Sequence, residues 1–267
     1  MPIGFPNLNL WITIDRIAFS ICNIDIYWYG IIIALAYLLA VILIIIDTKK
    51  LKLNVDNVII LIVSTTVLGV FGARLFYIAF SPLELTFANI LDFRSGGLAI
   101  YGGLIVGALT VYLLCKKFKY SFLKIADLVI PYICLGQCIG RIGNFINQEA
   151  YGIQTDVFWK MSIFSNGGYI NVHPTFLYEM LITLSLFIYL FIKRKTKKID
   201  GQLLSIYLIV YGVGRFIIES FRADSLLICD FKISQIVSVL IVLLGIVIAW
   251  FILKQGNKNI IDKWLWS

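Results

Sequence analysis

A chain of 267 residues in which 60% are hydrophobic and 14% charged carries too little polar surface to cover a water-soluble globule, so lipid must cover the rest. Its formal net charge of +8 would suit nucleic acid, but the basic residues fall in short clusters between apolar runs, as the positive-inside rule expects of cytoplasmic loops. One histidine and five cysteines without a CxxC pair argue against a multi-histidine metal site or a disulfide framework, and nothing in the sequence demands a metal or an organic cofactor.

Asp15 is the first charged residue, and no basic segment leads an apolar stretch to a small-residue cleavage site, so the first span is expected to act as its own insertion signal. A bilayer core about 30 Å thick takes roughly 20 helical residues to cross. Seven stretches approach that length: Tyr29 to Ile46, Asn57 to Phe80, Gly97 to Cys115, Lys124 to Gly140, Pro174 to Ile192, Gly201 to Phe221 and Lys232 to Leu253. Lys49, Lys50 and Lys52 follow the first, Lys116, Lys117 and Lys119 the third, the run from Lys193 to Lys198 the fifth, and Lys254 and Lys258 the seventh. The alternate connections hold fewer cations, Arg94 beside Glu84 and Asp92, Arg141 and Lys160, and Arg222 beside Asp224 and Asp230. The expected fold is therefore an all-α polytopic membrane protein of seven transmembrane helices, with the N-terminus outside and the C-terminus cytoplasmic. Residues 1–267 form one membrane-embedded domain, in which the connection 141–173, with Asn166, Gly167 and Gly168, folds as a small extracytoplasmic element.

Ionisable residues inside spans are costly and mark function by default. Arg74, Asp127, Glu179, Arg215 and Glu219 qualify, and all but Asp127, which is given a structural role, fall in the outer half by span counting. Arg215 and Glu219 are spaced i,i+4 and could simply neutralise each other. Arg222 continues that face in GVGRFIIESFR, and the positive charge left over would suit an anionic ligand.

The densest polar segment is GRIGNFINQEAYG, read as a loop just beyond the fourth span. Arg141, Asn144, Asn147, Gln148 and Glu149 lie among Gly140, Gly143 and Gly152, which offers donors on a backbone that a ligand can approach closely. At the third span, Gly96, Gly97, Gly102, Gly103 and Gly107 of GGLAIYGGLIVG predict close helix packing. Tyr101 within it is either an interfacial belt tyrosine or a hydrogen-bonding group of the site. His173, which opens HPTFLYE, is expected to make a hydrogen bond at the start of a helix.

Together these segments resemble the bacterial prolipoprotein diacylglyceryl transferase family. GRIGNFINQEAYG resembles its signature, and IYWYG, GGLAIYGGL, HPTFLYE and YGVGRFIIESFR occur in the same order. The resemblance implies a transferase of the bacterial cytoplasmic membrane that moves the diacylglyceryl group of phosphatidylglycerol to the lipobox cysteine of prolipoprotein signal peptides. By that resemblance Tyr29, Arg141, Asn144, Glu149, Gly152, Arg215 and Glu219 align with essential positions, and Tyr101 stands where some members carry histidine. Arg141 and Arg215 are expected to hold the headgroup phosphate, with Arg74 among the binding groups. Asn144 would orient the headgroup, while Glu149 or Glu219 fixes the guanidinium groups. A monomer is the default. The rival class is a transporter for an anionic solute, for which the sequence offers no inverted repeat.

Overall fold

A computed structural model describes residues 2–81, 86–92, 96–165, 167–223, 227–229 and 231–265, with the side chains of Phe87, Ile228 and residues 255–265 excepted. Glu84, Arg94, Asn166, Asp224, Asp230 and the side chain of Lys258 lie outside the described set. Among the described residues, seven helices are long and apolar enough to cross a membrane: α1 (Trp28–Lys50), α2 (Val55–Phe80), α4 (Ile100–Phe118), α5 (Phe122–Asn147), α6 (Thr175–Lys193), α7 (Gln202–Ser220) and the Ile233–Lys254 part of α8 (Ile233–Leu265). A five-residue helix, α3 (Phe87–Leu91), precedes α4.

The expected spans are all present, but the all-α expectation needs correction, because strands fill the connections. β1 (Pro2–Phe5), β2 (Leu10–Thr13), β5 (Met161–Ser165) and β6 (Gly168–Val172) form one antiparallel sheet in the order β2-β1-β5-β6. β3 (Ile17–Ile21) and β4 (Ile24–Tyr27) form a hairpin, as do β7 (Leu227–Ile228) and β8 (Phe231–Lys232). The β3–β4 turn is two residues, Cys22 and Asn23, both at positive φ of 50° and 61°, the twist that a tight hairpin needs. These stretches are too short for a span and rich in β-branched and aromatic residues, so strand pairing satisfies their backbone.

The chain divides into two compact units, residues 41–128 and residues 1–40 with 129–267. In the first, α2 and α4 approach so closely that a Cβ on Gly102 would collide with Phe76 and the backbone of Gly72, while one on Gly103 would sit 3.3 Å from the Gly69 carbonyl oxygen. The predicted glycine packing is thus found at Gly102 and Gly103. Gly96 and Gly97 serve otherwise: at φ of 82° and 72° they turn the segment before α4 so that their carbonyls reach Arg74. The α4 helix ends at Lys119, whose left-handed φ of 58° lets its amide bond back to Lys116.

In the second unit, Ile130, Cys134, Leu186, Leu190, Leu203 and Tyr207 pack α5, α6 and α7 into one core. A second core beneath the four-stranded sheet joins Ile3, Met161, Ile163 and Val172 to Phe176 of α6, with Phe145 of α5 against it. Between sheet and helices, residues 152–155 run as an extra extended segment. The Gly152 amide donates to the His173 carbonyl at 2.8 Å, the His173 amide to Ile153 at 3.1 Å, and the Ile153 amide to Phe221 at 2.8 Å. The predicted bond at the start of a helix is present as the Thr175 amide on the His173 carbonyl at 2.9 Å. The His173 ring lies 3.0 Å from the Tyr178 hydroxyl, which also accepts from Trp159 at 2.6 Å.

Gly102→Ala would force α2 and α4 apart, and a loss of about 1–3 kcal/mol is expected, read as a lower melting temperature in detergent micelles. Burial holds the His173 imidazole below its ordinary value of 6.5. The neutral ring is therefore the form the fold favours, and its contribution to stability is complete above about pH 6.5 and lost as pH falls through the lower folded value. The wild-type melting temperature should decline between pH 7 and pH 5 more than that of His173→Gln, and equal declines would remove this residue from the acid response.

Candidate active site

The polar segment after the fourth span is a continuation of that span. α5 runs on through Asn147, so Gly140 to Asn147 are helical, a correction to the expected loop. Apolar residues at Ile142, Phe145 and Ile146 sustain the helix, and its glycines are packing positions: a Cβ on Gly143 would enter the Tyr29 ring, and one on Gly140 would touch Ile33 at 3.3 Å. The chain leaves the helix at Gln148 and Ala150, both at positive φ (54° and 56°), and that reversal brings Glu149 back beside the last turn.

Helical spacing puts Arg141 and Asn144 on one face, where Arg141 Nη1 donates to Asn144 Oδ1 at 3.0 Å. Asn144 Nδ2 donates in turn to Glu149 Oε1 at 2.9 Å, and Asn147 to the same oxygen at 3.4 Å. The other terminal nitrogen of Arg141 bonds Glu179 Oε1. Glu179 lies in the second turn of α6, and its Oε2 accepts from Arg215 Nη1 of α7 at 3.0 Å. Arg215 Nη2 continues to Glu219 Oε2 at 2.6 Å, with Arg222 Nε 4.0 Å from that oxygen. The result is one alternating chain, Glu149–Asn144–Arg141–Glu179–Arg215–Glu219–Arg222, carried by α5, its exit, α6 and α7.

The i,i+4 pair of Arg215 and Glu219 exists, yet it is not closed, since Arg215 also serves Glu179. The expected surplus of positive charge on α7 counted that helix alone, and Glu179 from α6 reduces it. Accessibility favours an anion instead. The side chains of Arg141 and Arg215 are 20% and 17% exposed, against 3% and 1% for Glu179 and Glu219. Carboxylates stand behind and guanidinium edges in front. Arg141 uses both terminal nitrogens in hydrogen bonds, Arg215 one in a hydrogen bond and the other in an ion pair, and each still has N–H groups to offer an anionic oxygen.

Supporting groups surround this chain. Tyr211 donates to Glu179 Oε1 at 3.5 Å and stacks on Tyr207, which accepts from Gln137 at 2.9 Å. Lys232, just ahead of α8, donates from Nζ to the carbonyls of Glu219 at 2.6 Å and Arg222 at 3.3 Å, a cation on the carbonyl end of α7. Gly152 pairs with Arg222 in a short antiparallel bridge, and a Cβ there would come within 2.6 Å of His173 Cβ and the Phe221 carbonyl. No bulkier residue fits where these three segments meet. Sequence reasoning flagged Glu179 as a charge in a span but gave it no role; the missed signal was a lone carboxylate one turn before Thr183 on the buried stripe of α6. Lys232 carried no local signal at all.

Arg74 and Tyr101 belong to the other unit. Arg74, 1% exposed, donates from Nε to the Asn89 carbonyl at 2.8 Å and from Nη1 to Gly97 at 3.1 Å, besides Gly96. Its fork holds backbone. Tyr101 lies partly buried in the first turn of α4, on the segment that Arg74 holds. Asp127 is buried near the start of α5.

The family description "Prolipoprotein diacylglyceryl transferase" matches residues 16–251. A protein of Finegoldia magna named phosphatidylglycerol--prolipoprotein diacylglyceryl transferase is 42% identical over 248 residues, 92% of this chain and 98% of its own. Like-named proteins of Clostridioides difficile and Clostridium perfringens are 41% and 39% identical over 93% and 92% of this chain and 99% and 97% of theirs. With seven helices able to span a bilayer and similarity along nearly its whole length, the chain is a multi-pass membrane transferase and belongs to the prolipoprotein diacylglyceryl transferase family.

Proposed function

We propose that this protein transfers the sn-1,2-diacylglyceryl group of phosphatidylglycerol to the lipobox cysteine of prolipoproteins. The observation that carries the reading at the level of the site is the pair of partly exposed guanidinium groups, Arg141 and Arg215, in front of buried carboxylates. The two substrates are those that the relatives' names carry.

In the reaction, the cysteine thiol loses its proton and its sulfur bonds the glyceryl carbon as the bond from that carbon to the phosphate oxygen breaks; glycerol 1-phosphate leaves with that oxygen, and the proton passes to water or to the released phosphate. Arg141 and Arg215 bind the phosphate and stabilise the charge that collects on it. Asn144, held by Glu149, orients the headgroup, and Glu219 holds Arg215. The thiol has an ordinary pKa near 8.5, and two nearby arginines lower it, which reduces the need for a strong base. Tyr101 hydrogen-bonds substrate. Arg74 serves it indirectly, by fixing the Gly96–Gly97 turn ahead of α4. Tyr29 and Gly152 hold the frame, one against Gly143 and the other where the α7 exit meets residues 152–155.

The site faces the extracytoplasmic side, with the N-terminus outside and the C-terminus cytoplasmic. Lysines in the last turns of α1, α4 and α6, in α6 at the end opposite Glu179, support this orientation.

Purified protein given phosphatidylglycerol and a lipobox peptide should yield the mass increase of a diacylglyceryl thioether. Movement of an anion across vesicles with no peptide modification would favour a transporter. Arg215→Lys keeps the charge and loses the fork, so transfer should fall about tenfold or more. Tyr101→Phe should also lower turnover, and a wild-type rate would return that ring to the aromatic belt.

A further inference from the structure

Glu179 closes the HPTFLYE segment and was given no role by the resemblance, yet it touches both arginines. We infer that Glu179 is the positioning residue that sets the spacing and aim of Arg141 and Arg215 toward the lipid phosphate, an inference that rests on the transferase reading above.

The argument is geometric. Arg141 comes from α5 and Arg215 from α7, and among the described residues Glu179 of α6 is the side chain that bonds both. One planar carboxylate receives them on separate oxygens, Oε1 and Oε2, so the distance between two long, flexible side chains is fixed by a rigid group two bonds wide. Glu179 is itself immobilised. It is 2% exposed, on the buried stripe of α6 with Phe176, Thr183 and Leu186, and Tyr211 bonds its Oε1. The partners that remain without it are unequal: Asn144 on the same helix for Arg141, Glu219 on the same helix for Arg215. Each would keep a local contact and lose the bond that ties it, through α6, to the other arginine. Glu179 does not reach the reacting carbon. It acts through the guanidinium groups, and a shift of about 1 Å in such groups can cost about 100-fold in rate.

Two substitutions separate positioning from folding. Glu179→Gln keeps size, but an amide offers one acceptor, and its NH₂ would face the second guanidinium donor to donor. Glu179→Asp keeps charge, but one methylene less cannot span both arginines. Rates are measured in lipid nanodiscs with phosphatidylglycerol and a lipobox peptide, normalised to the folded fraction, alongside inhibition by glycerol 1-phosphate. Turnover should fall about 10- to 100-fold in both variants. Glycerol 1-phosphate should inhibit Glu179→Gln more tightly than wild type, because a competing negative charge has gone, and Glu179→Asp about as well as wild type. Wild-type turnover per folded molecule in either variant overturns the inference, as does unchanged product inhibition in Glu179→Gln. If Glu179→Gln does not fold, the rate of Glu179→Asp decides. A wild-type protein that transfers nothing sinks the transferase reading itself, and is told apart from these outcomes by its own control lane.

Discussion

Charge inside a membrane must be paired, and pairing in a dry interior dictates geometry. Here the constraint falls on Glu179. Its carboxylate is buried between guanidinium groups from two other helices, and withdrawing both would leave an uncompensated ion, a change that costs about 3–5 kcal/mol in comparable buried pairs. α5, α6 and α7 are therefore held in register at one level by electrostatics as well as by the Cys134, Leu186, Leu190 and Leu203 core further along. The sheet, the segment 152–155 and Lys232 then attach to the ends of those same helices.

How much of this could be read in advance follows from how local each signal is. Spans were legible because about 20 apolar residues in a row have few other uses. Gly102 and Gly103 were legible as packing residues for a similar reason. The end of α5 was not: Gly140, Gly143, Asn144 and Asn147 are poor helix formers, and the helix persists through them because Ile142, Phe145 and Ile146 sustain it and the Tyr29 ring packs on Gly143. Strands in the connections were missed because pairing such as Gly4 with Ser162 joins residues far apart in sequence. Arg141, Asn144 and Arg215 were named from motif and resemblance, and they stand together. The middle link, Glu179, was named only as a charge in a span, and its role escaped because both of its partners come from other helices.

Arg74 teaches the converse. A charge in a span is expected to be a ligand group, and here its Nε and Nη1 donate to the carbonyls of Asn89, Gly96 and Gly97. Backbone that must turn between helices near lipid has its own unmet carbonyls, and an arginine fork satisfies several at once. Lys232 does the same for the end of α7. Cations near a membrane face thus divide into those that finish the backbone and those left with an open edge.

That α5 is unbroken from Phe122 to Asn147 carries one last consequence. Each residue of a helix advances the direction of its side chain by about 100°. Arg141 and Asn144 share a face because two residues separate them, and deleting one of those two would set them about 200° apart, on opposite sides of the helix. The β5–β6 turn at Gly167 has no such phase to keep. Losing a residue is cheap at that loop and costly between Arg141 and Asn144, where the helix works as a ruler.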